Sequence, residues 1–307
     1  MKVLMIGGTR FVGRAAVADL ATRGHEVVVL NRGTLAPHPA AARAIQCDKA
    51  DRGALTNALT GERWDAVIDT VLSAADLEFV IELLAGRIAH FIHTGSTGVY
   101  APCVRVPARE SDPLSVHDEP YSFRTKLQQD QVVMRAHQER TFPATSLRMC
   151  YIYGPGAVLL DAWGGLEPRM FQMLRDGEPI PVPDAGRALL HPGYVDDLGT
   201  AFGDALAAPQ TIGQIYNIGG DRALMKRDYV KLIARSMGVE PRFEPASAEQ
   251  IMQRFPDHTT ERQVRFSCEH MSADISKAER DMGWRPQTQL EAGLANSVEW
   301  MRAEGYI

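Results

Sequence analysis

Long apolar stretches are missing from this chain of 307 residues: no run approaches the ~20 needed to cross a bilayer, so no membrane partner is expected. Basic clusters are missing too. Lys and Arg total 33 against 38 Asp and Glu, mixed along the chain, and the net charge of −5 argues against nucleic acid or an anionic membrane surface as the main partner. Cysteine is scarce. Cys47, Cys103, Cys150 and Cys268 stand apart, without CxxC or Cys/His metal spacing, and read as reduced and mostly buried, with no metal expected. Cys150 falls in an apolar strand pattern and reads as core. The first residues run straight into an apolar strand, without a charged leader and small-residue cleavage site, so a cytoplasmic location is expected. Spacing offers no support for a metal hydrolase or a nucleophile triad.

What is present is a globular composition, 45% hydrophobic and 23% charged, suiting one large domain and a smaller one. The first half alternates short β-rich runs with helical patterns. Strands are expected at Lys2–Ile6, Glu26–Asn31, Arg43–Cys47, Asp65–Asp69, Ala89–Thr94 and Ala144–Cys150. Helices are expected between them at Phe11–Arg23, Asp51–Leu59, Ala74–Ala85 and Tyr121–Arg140. Apolar runs such as Val27-Val28-Val29-Leu30 imply a parallel sheet covered on both faces, and right-handed crossovers then give an α/β fold with a Rossmann-type, doubly wound sheet. Beyond Gly154-Pro155-Gly156 the composition changes. Helices are expected at Pro168–Arg175, Tyr194–Ala208, Met225–Gly238 and Glu291–Glu304, with a short strand at Gln214–Ile218, while Pro179, Pro181 and Pro183 break any long element.

The segment Ile6-Gly7-Gly8-Thr9-Arg10-Phe11-Val12-Gly13 follows a strand and opens a helix. Glycines there permit a tight turn and close helix–strand packing, and the helix N-terminus favours a pyrophosphate. Gly7, Thr9, Arg10, Phe11, Val12 and Gly13 are therefore candidate cofactor residues. At the end of the second strand stand Asn31 and Arg32 where an acid would bind the ribose diol of NAD. Arg10 and Arg32 would attract a 2′-phosphate, so NADP is expected over NAD, with NAD left open. Asp48 is a candidate for the adenine amino group, or else a cap for the following helix.

These residues, with Ser96-Thr97-Gly98-Val99-Tyr100, Tyr153-Gly154-Pro155-Gly156, Tyr194-Val195-Asp196-Asp197, Tyr216-Asn217-Ile218-Gly219-Gly220 and Met282-Gly283-Trp284-Arg285-Pro286, resemble the extended short-chain dehydrogenase/reductase superfamily, the NAD-dependent epimerase/dehydratase group. The likeness spans nearly the whole chain. It implies a Rossmann domain (1–155 and 187–219) with a smaller, C-terminal substrate-binding domain (156–186 and 220–307), and a homodimer. It also implies hydride transfer at a nicotinamide, with a tyrosine as general acid/base, a lysine that lowers its pKa and anchors the ribose, and a Ser or Thr that polarises the substrate oxygen. Ser96 falls at the hydroxyl position and Lys126 at the lysine.

The pattern breaks at the tyrosine, which the family places four residues before the lysine. Tyr121 is five residues before Lys126 and Ser122 holds the i−4 place, which on an unbroken helix puts the phenol about 100° off its bearing. Two readings stay open: one residue is inserted and the helix absorbs it as a π-bulge or a late start, which returns Tyr121 to its place, or Ser122 fills the position and Ser96, water or the substrate moves the proton. The Arg-Asp pair and the Asn that nucleotide-sugar members often carry are replaced by Leu190-His191 and Tyr151, and Arg187 lies three residues upstream. Tyr151, Trp163 and Met173 suit an apolar or aromatic ligand, and His191 is either a general acid or a structural histidine. The expected activity is that of an NADP(H)-dependent oxidoreductase, a ketoreductase on a small molecule other than a nucleotide sugar. A nucleotide-sugar epimerase/dehydratase and a catalytically silent cofactor sensor are the alternatives.

Overall fold

The computed structural model describes residues 1–114 and 123–307. Its first half builds β1 (Lys2–Ile6), α1 (Phe11–Thr22), β2 (Glu26–Asn31), β3 (Arg43–Gln46), α2 (Arg52–Thr60), β4 (Ala66–Asp69), α3 (Ala74–Leu84), β5 (His90–Ser96), α4 (Arg124–Arg140) and β6 (Ala144–Met149). The chain continues through β7 (Tyr151–Tyr153), α5 (Arg169–Arg175), β8 (Ile180–Pro183), β9 (Leu189–Leu190), β10 (Pro192–Tyr194), α6 (Val195–Ala207) and β11 (Ile215–Ile218). Last come β12 (Leu224–Met225), α7 (Lys226–Met237), β13 (Phe243–Ala246), α8 (Ala248–Arg254), α9 (Glu261–Ser267), α10 (Ser276–Met282) and α11 (Leu290–Ala303).

Seven strands form one parallel sheet in the order β11-β6-β5-β4-β1-β2-β3. The central strands are apolar on both faces because both faces are covered. Val3, Met5, Val27 and Val29 face α1 and α6, while Leu4, Val28, Val67 and Phe91 face α2, α3 and α4. Helices α1 and α6 approach closely through two glycines: a Cβ on Gly199 would lie 2.7 Å from Ala15 Cβ and 2.9 Å from the Ala15 carbonyl carbon, and one on Gly203 would lie 2.4 Å from Asp19 Oδ2. The order reverses between β1 and β4, so a crevice opens at their C-terminal ends, beside Gly7 and Asp69.

The later segments form three two-stranded pairs, β7 with β10, β9 with β12 and β8 with β13, over a second core that holds Trp163, Phe171, Tyr229, Ile233 and Leu294. Strand β8 forms despite its prolines. Pro181 and Pro183 alternate with Ile180 and Val182, and Ile180 N–H donates to the Arg242 carbonyl at 2.7 Å. The missing N–H groups thus fall on an edge that needs no donor. Two pieces of the C-terminal stretch return to the first core: Ala278 of α10 and Trp284, whose indole N–H donates to the Asp197 carbonyl at 3.0 Å. Among the described residues no helix is long and apolar enough to cross a membrane.

Several motifs named above hold this fold together. Tyr100 donates to Asn217 Oδ1 at 2.9 Å and accepts from Arg148, which pairs with Asp130 at 2.6 Å; all four are buried. Asp197 accepts the Thr288 N–H at 2.8 Å, and Gly154, at φ +150°, lets Val195 approach where a Cβ would sit 2.4 Å from its Cγ1.

Candidate functional site

The glycine-rich turn is shaped by contacts a side chain would block. Gly7 has φ +109°, and a Cβ there would meet Thr70 Oγ1 at 2.1 Å; Gly8 has φ +76°. Gly13 brings α1 so close that its Cβ would lie 2.9 Å from the Gly8 nitrogen. Phe11 also takes a left-handed φ of +43°, and its ring packs on the first core, while Val12 is buried. Arg10 occupies the N-cap of α1 without a side-chain cap bond, so the first-turn N–H groups stay available to an anion. This cradle fits a dinucleotide pyrophosphate. Thr9 is half-buried in the turn.

At the end of β2, Asn31 Oδ1 accepts the Gly33 N–H at 2.6 Å, and its Nδ2 is buried without a partner. Arg10 and Arg32 are exposed, and neither guanidinium has a partner among the described residues. Of the two roles open for Asp48, capping falls to another residue. Asp51 caps α2 by accepting the Ala54 N–H at 2.9 Å, whereas Asp48 Oδ1 accepts from Ala50 N in its own turn.

Asp69, at the end of β4, is fully buried. Its Oδ1 accepts the Val71 and Leu72 N–H groups, and its Oδ2 lies 2.8 Å from His93 Nδ1. Beside it, Lys126 Nζ donates to the Thr94 carbonyl at 3.1 Å. Burial pulls the Lys126 pKa down, opposed by Asp69 and Asp130. Helix α4 starts only at Arg124, because Phe123 (φ −90°, ψ 31°) is its N-cap; the helix expected from Tyr121 is shorter at that end. Bearings drawn from Lys126 along an unbroken helix therefore do not extend upstream of Arg124. Tyr121 and Ser122 lie outside the described residues.

Next to the turn that follows β5 lies a cavity of about 480 Å³. Its walls join Ser96, Thr97 and Gly98 to Phe123, to Cys150–Ile152, to Leu189–His191 and to residues of α7 and α9. Ser96 Oγ accepts the Gly98 N–H at 3.2 Å, and among the described residues its own O–H has no acceptor. Phe123 seals one side: Gly98 has no Cβ to strike its ring, and Phe266 packs 4.9 Å away, centroid to centroid. Tyr151 lines the cavity, but its oxygen accepts the Leu160 N–H at 2.6 Å and burial pushes its pKa up to about 12. Without a neighbouring cation that phenol is a poor acid at neutral pH.

His191 also lines the cavity, yet both ring nitrogens are held by backbone. Nδ1 accepts the Ala273 N–H at 3.2 Å and Nε2 donates to the Gly220 carbonyl at 2.8 Å, which makes it a structural imidazole. Cys150 is buried as expected, with Sγ 3.5 Å from His191 Nδ1, and borders the cavity as well. Trp163, expected at the ligand, is corrected: it is fully buried, stacks on Phe255 at 4.3 Å and donates to the Pro181 carbonyl. Met173 is likewise core. Arg187 is exposed and paired with Asp184 at 2.6 Å. Sequence reasoning missed Phe123, Lys226, Arg262 and Phe266, for which no local pattern signals a cavity wall.

The sequence model of the NAD dependent epimerase/dehydratase family matches residues 3–80 and 69–219. The chain belongs to that family. Within this NAD(P)-dependent family it is 28% identical over 311 residues to the chloroplast stem-loop binding protein of 41 kDa b from Arabidopsis thaliana, covering 96% of this chain and 78% of that protein. It is 28% identical over 257 residues to 2′-dehydrokanamycin reductase of Streptomyces kanamyceticus, covering 82% and 72%. A solved dTDP-glucose 4,6-dehydratase from Streptomyces venezuelae, with NAD and TYD bound, superposes with a TM-score of 0.75 at 22% identity, covering 99% of this chain and 97% of that one. That structure shows the shared epimerase/dehydratase fold.

Proposed function

We propose that this family member is an NADP(H)-dependent ketoreductase of a small molecule that is not a nucleotide sugar. The observation that carries the reading is the cavity itself: a Ser96 hydroxyl that donates to no described residue opens onto walls built chiefly from apolar side chains. Bound NADP(H) would supply the hydride. The turn from Gly7 to Gly13 would hold the pyrophosphate, Arg10 and Arg32 the 2′-phosphate, and Lys126 the ribose. Ser96 would donate to the substrate oxygen and stabilise the charge that develops there. The Arg-Asp pair that nucleotide-sugar members often carry is replaced by Leu190 and His191, and Arg187, three residues upstream, is tied to Asp184 at the surface. A relative named as a reductase supports the same reading.

A binding role without turnover is the second reading, favoured by the relative named as a stem-loop binding protein. The net charge of −5 weighs against a nucleic-acid ligand for this chain. Consumption of NADPH with a broad panel of ketones and aldehydes tests the proposal. Turnover of at least one carbonyl compound is expected, and cofactor binding with no oxidation across the whole panel would falsify it.

A further inference from the structure

Lys226 is a charged residue in the wall of this cavity. It opens α7, its backbone N–H held by the Ala188 carbonyl at 2.9 Å, and its side chain is buried, with the whole residue 5% exposed. Nζ donates one hydrogen bond, to the Ser267 carbonyl at 2.6 Å. Among the described residues no carboxylate oxygen stands within 4.0 Å of it. An ammonium has three donors and no acceptor, so two N–H groups remain, and Lys226 lines the cavity that Ser96 lines.

Asp161, the carboxylate that acts on it, forms no ion pair with it. Asp161 is buried behind the wall, where its Oδ1 accepts the Trp163 and Gly165 N–H groups and burial pushes its pKa up to about 7. Burial pulls Lys226 down to about 8, opposed in part by Cys268 and then by Asp161, so the ammonium predominates at neutral pH. Among the described residues the charged lining otherwise consists of Arg262, whose guanidinium lies 5.4 Å from the Phe123 ring centroid, and Glu269. Two cations thus face one carboxylate, while Leu160, Leu190, Phe266 and Met271 supply apolar wall. A buried charge without a partner is costly, and a cavity built around one is completed by an anion that arrives with the ligand.

We propose that the ligand of this cavity is a hydrophobic acid, whose apolar body fills the chamber and whose oxyanion, carboxylate or phosphate, sits on Nζ of Lys226. The carbonyl of that ligand rests on the reductase reading; the anion site does not. Titration calorimetry of the full chain saturated with NADP⁺ tests it, using phenylpyruvate against its methyl ester and phenyl phosphate against phenol. At least one acid is expected to bind tenfold or more tighter than its neutral counterpart, and the two arms tell carboxylate from phosphate. Lys226→Met is expected to bring that acid down to the affinity of its neutral counterpart while NADP⁺ binding persists, and Lys226→Arg to retain part of the preference. Equal binding of acid and neutral forms by the unaltered protein, absence of binding by either acid, or a preference that survives Lys226→Met overturns the proposal. The comparison on the unaltered protein needs no variant to fold. Because binding is read without turnover, a protein that never oxidises NADPH defeats the reductase reading and leaves this one standing.

Discussion

Arg10, at the N-cap of α1, and Arg32, just past β2, are both solvated and unpaired among the described residues. A charge-assisted bond to a phosphate is worth roughly 1.5–3 kcal/mol, about one to two powers of ten in affinity. Arg32→Asp is therefore expected to weaken NADP⁺ binding by tenfold or more and to leave NAD⁺ binding equal or improved, as read by quenching of intrinsic fluorescence. Unchanged selectivity would remove Arg32 from the cofactor site. The proton donor is addressed by the same method of subtraction. If Ser122 or Ser96 does the work, Tyr121→Phe keeps the full hydride-transfer rate and Ser122→Ala or Ser96→Ala lowers it by roughly 10²-fold; if Tyr121 does, the ranking inverts. The turn residues were legible from sequence because glycine at positive φ leaves a local signature. The cavity residues were not. Lys226 and Phe266 are 40 residues apart and meet Ser96 only after the chain has folded, and nothing in the neighbourhood of either reveals that meeting. At His191, where a general acid and a structural histidine were both open, the backbone groups of Gly220 and Ala273 absorb both nitrogens.

Helices and strands were readable where burial covers both faces over several residues, as in β1 and β2. They were unreadable where an element has two or three residues and no period, as in β7, β9, β10 and β12. The pairing of α1 with α6 gives a direct test of packing. Gly199→Ala would drive a methyl against the α1 backbone, so a loss of about 1–3 kcal/mol is expected in urea unfolding, with cofactor affinity retained by the folded fraction. Helix α3 is held differently, by the Ser73–Asp76 capping box and by Lys49 and Arg52, both within 2.9 Å of the Asp76 carboxylate. Burial opposes the charge there, but hydrogen bonds from Lys49 and Ser73 outweigh it and lower the Asp76 pKa from 3.8 to about 2. A depressed carboxyl stabilises the fold above its unfolded pKa and loses that contribution as pH falls through the folded value. Asp76→Asn is thus expected to cost roughly 1–2 kcal/mol at pH 6, a gap that narrows as pH falls from about 4 towards 2.

The molecule as a whole divides its labour between a sheet that presents loops and a later set of segments that closes over them. Cofactor binds the native state alone in this scheme, so NADP⁺ at a hundred times its Kd is expected to add about 2.7 kcal/mol to the unfolding free energy, seen as a rise in Tm that Gly7→Val abolishes. A protein whose Tm ignores both NADP⁺ and NAD⁺ would contradict the cofactor site built on the glycine turn. The overall plan was legible because strand and helix alternate in register. The trespass of α10 and Trp284 into the first core was not, since a tryptophan in a short C-terminal motif carries no mark of its distant partner. That trespass bears on the birth of the protein. Trp284 lies 66 residues beyond β11, the last strand of the large sheet, and ribosomes add roughly 5–20 residues per second. For roughly 3–13 s of synthesis the sheet is complete while the seat of Trp284 stands bare, an interval in which a nascent chain is exposed to chaperones and to its neighbours on the polysome.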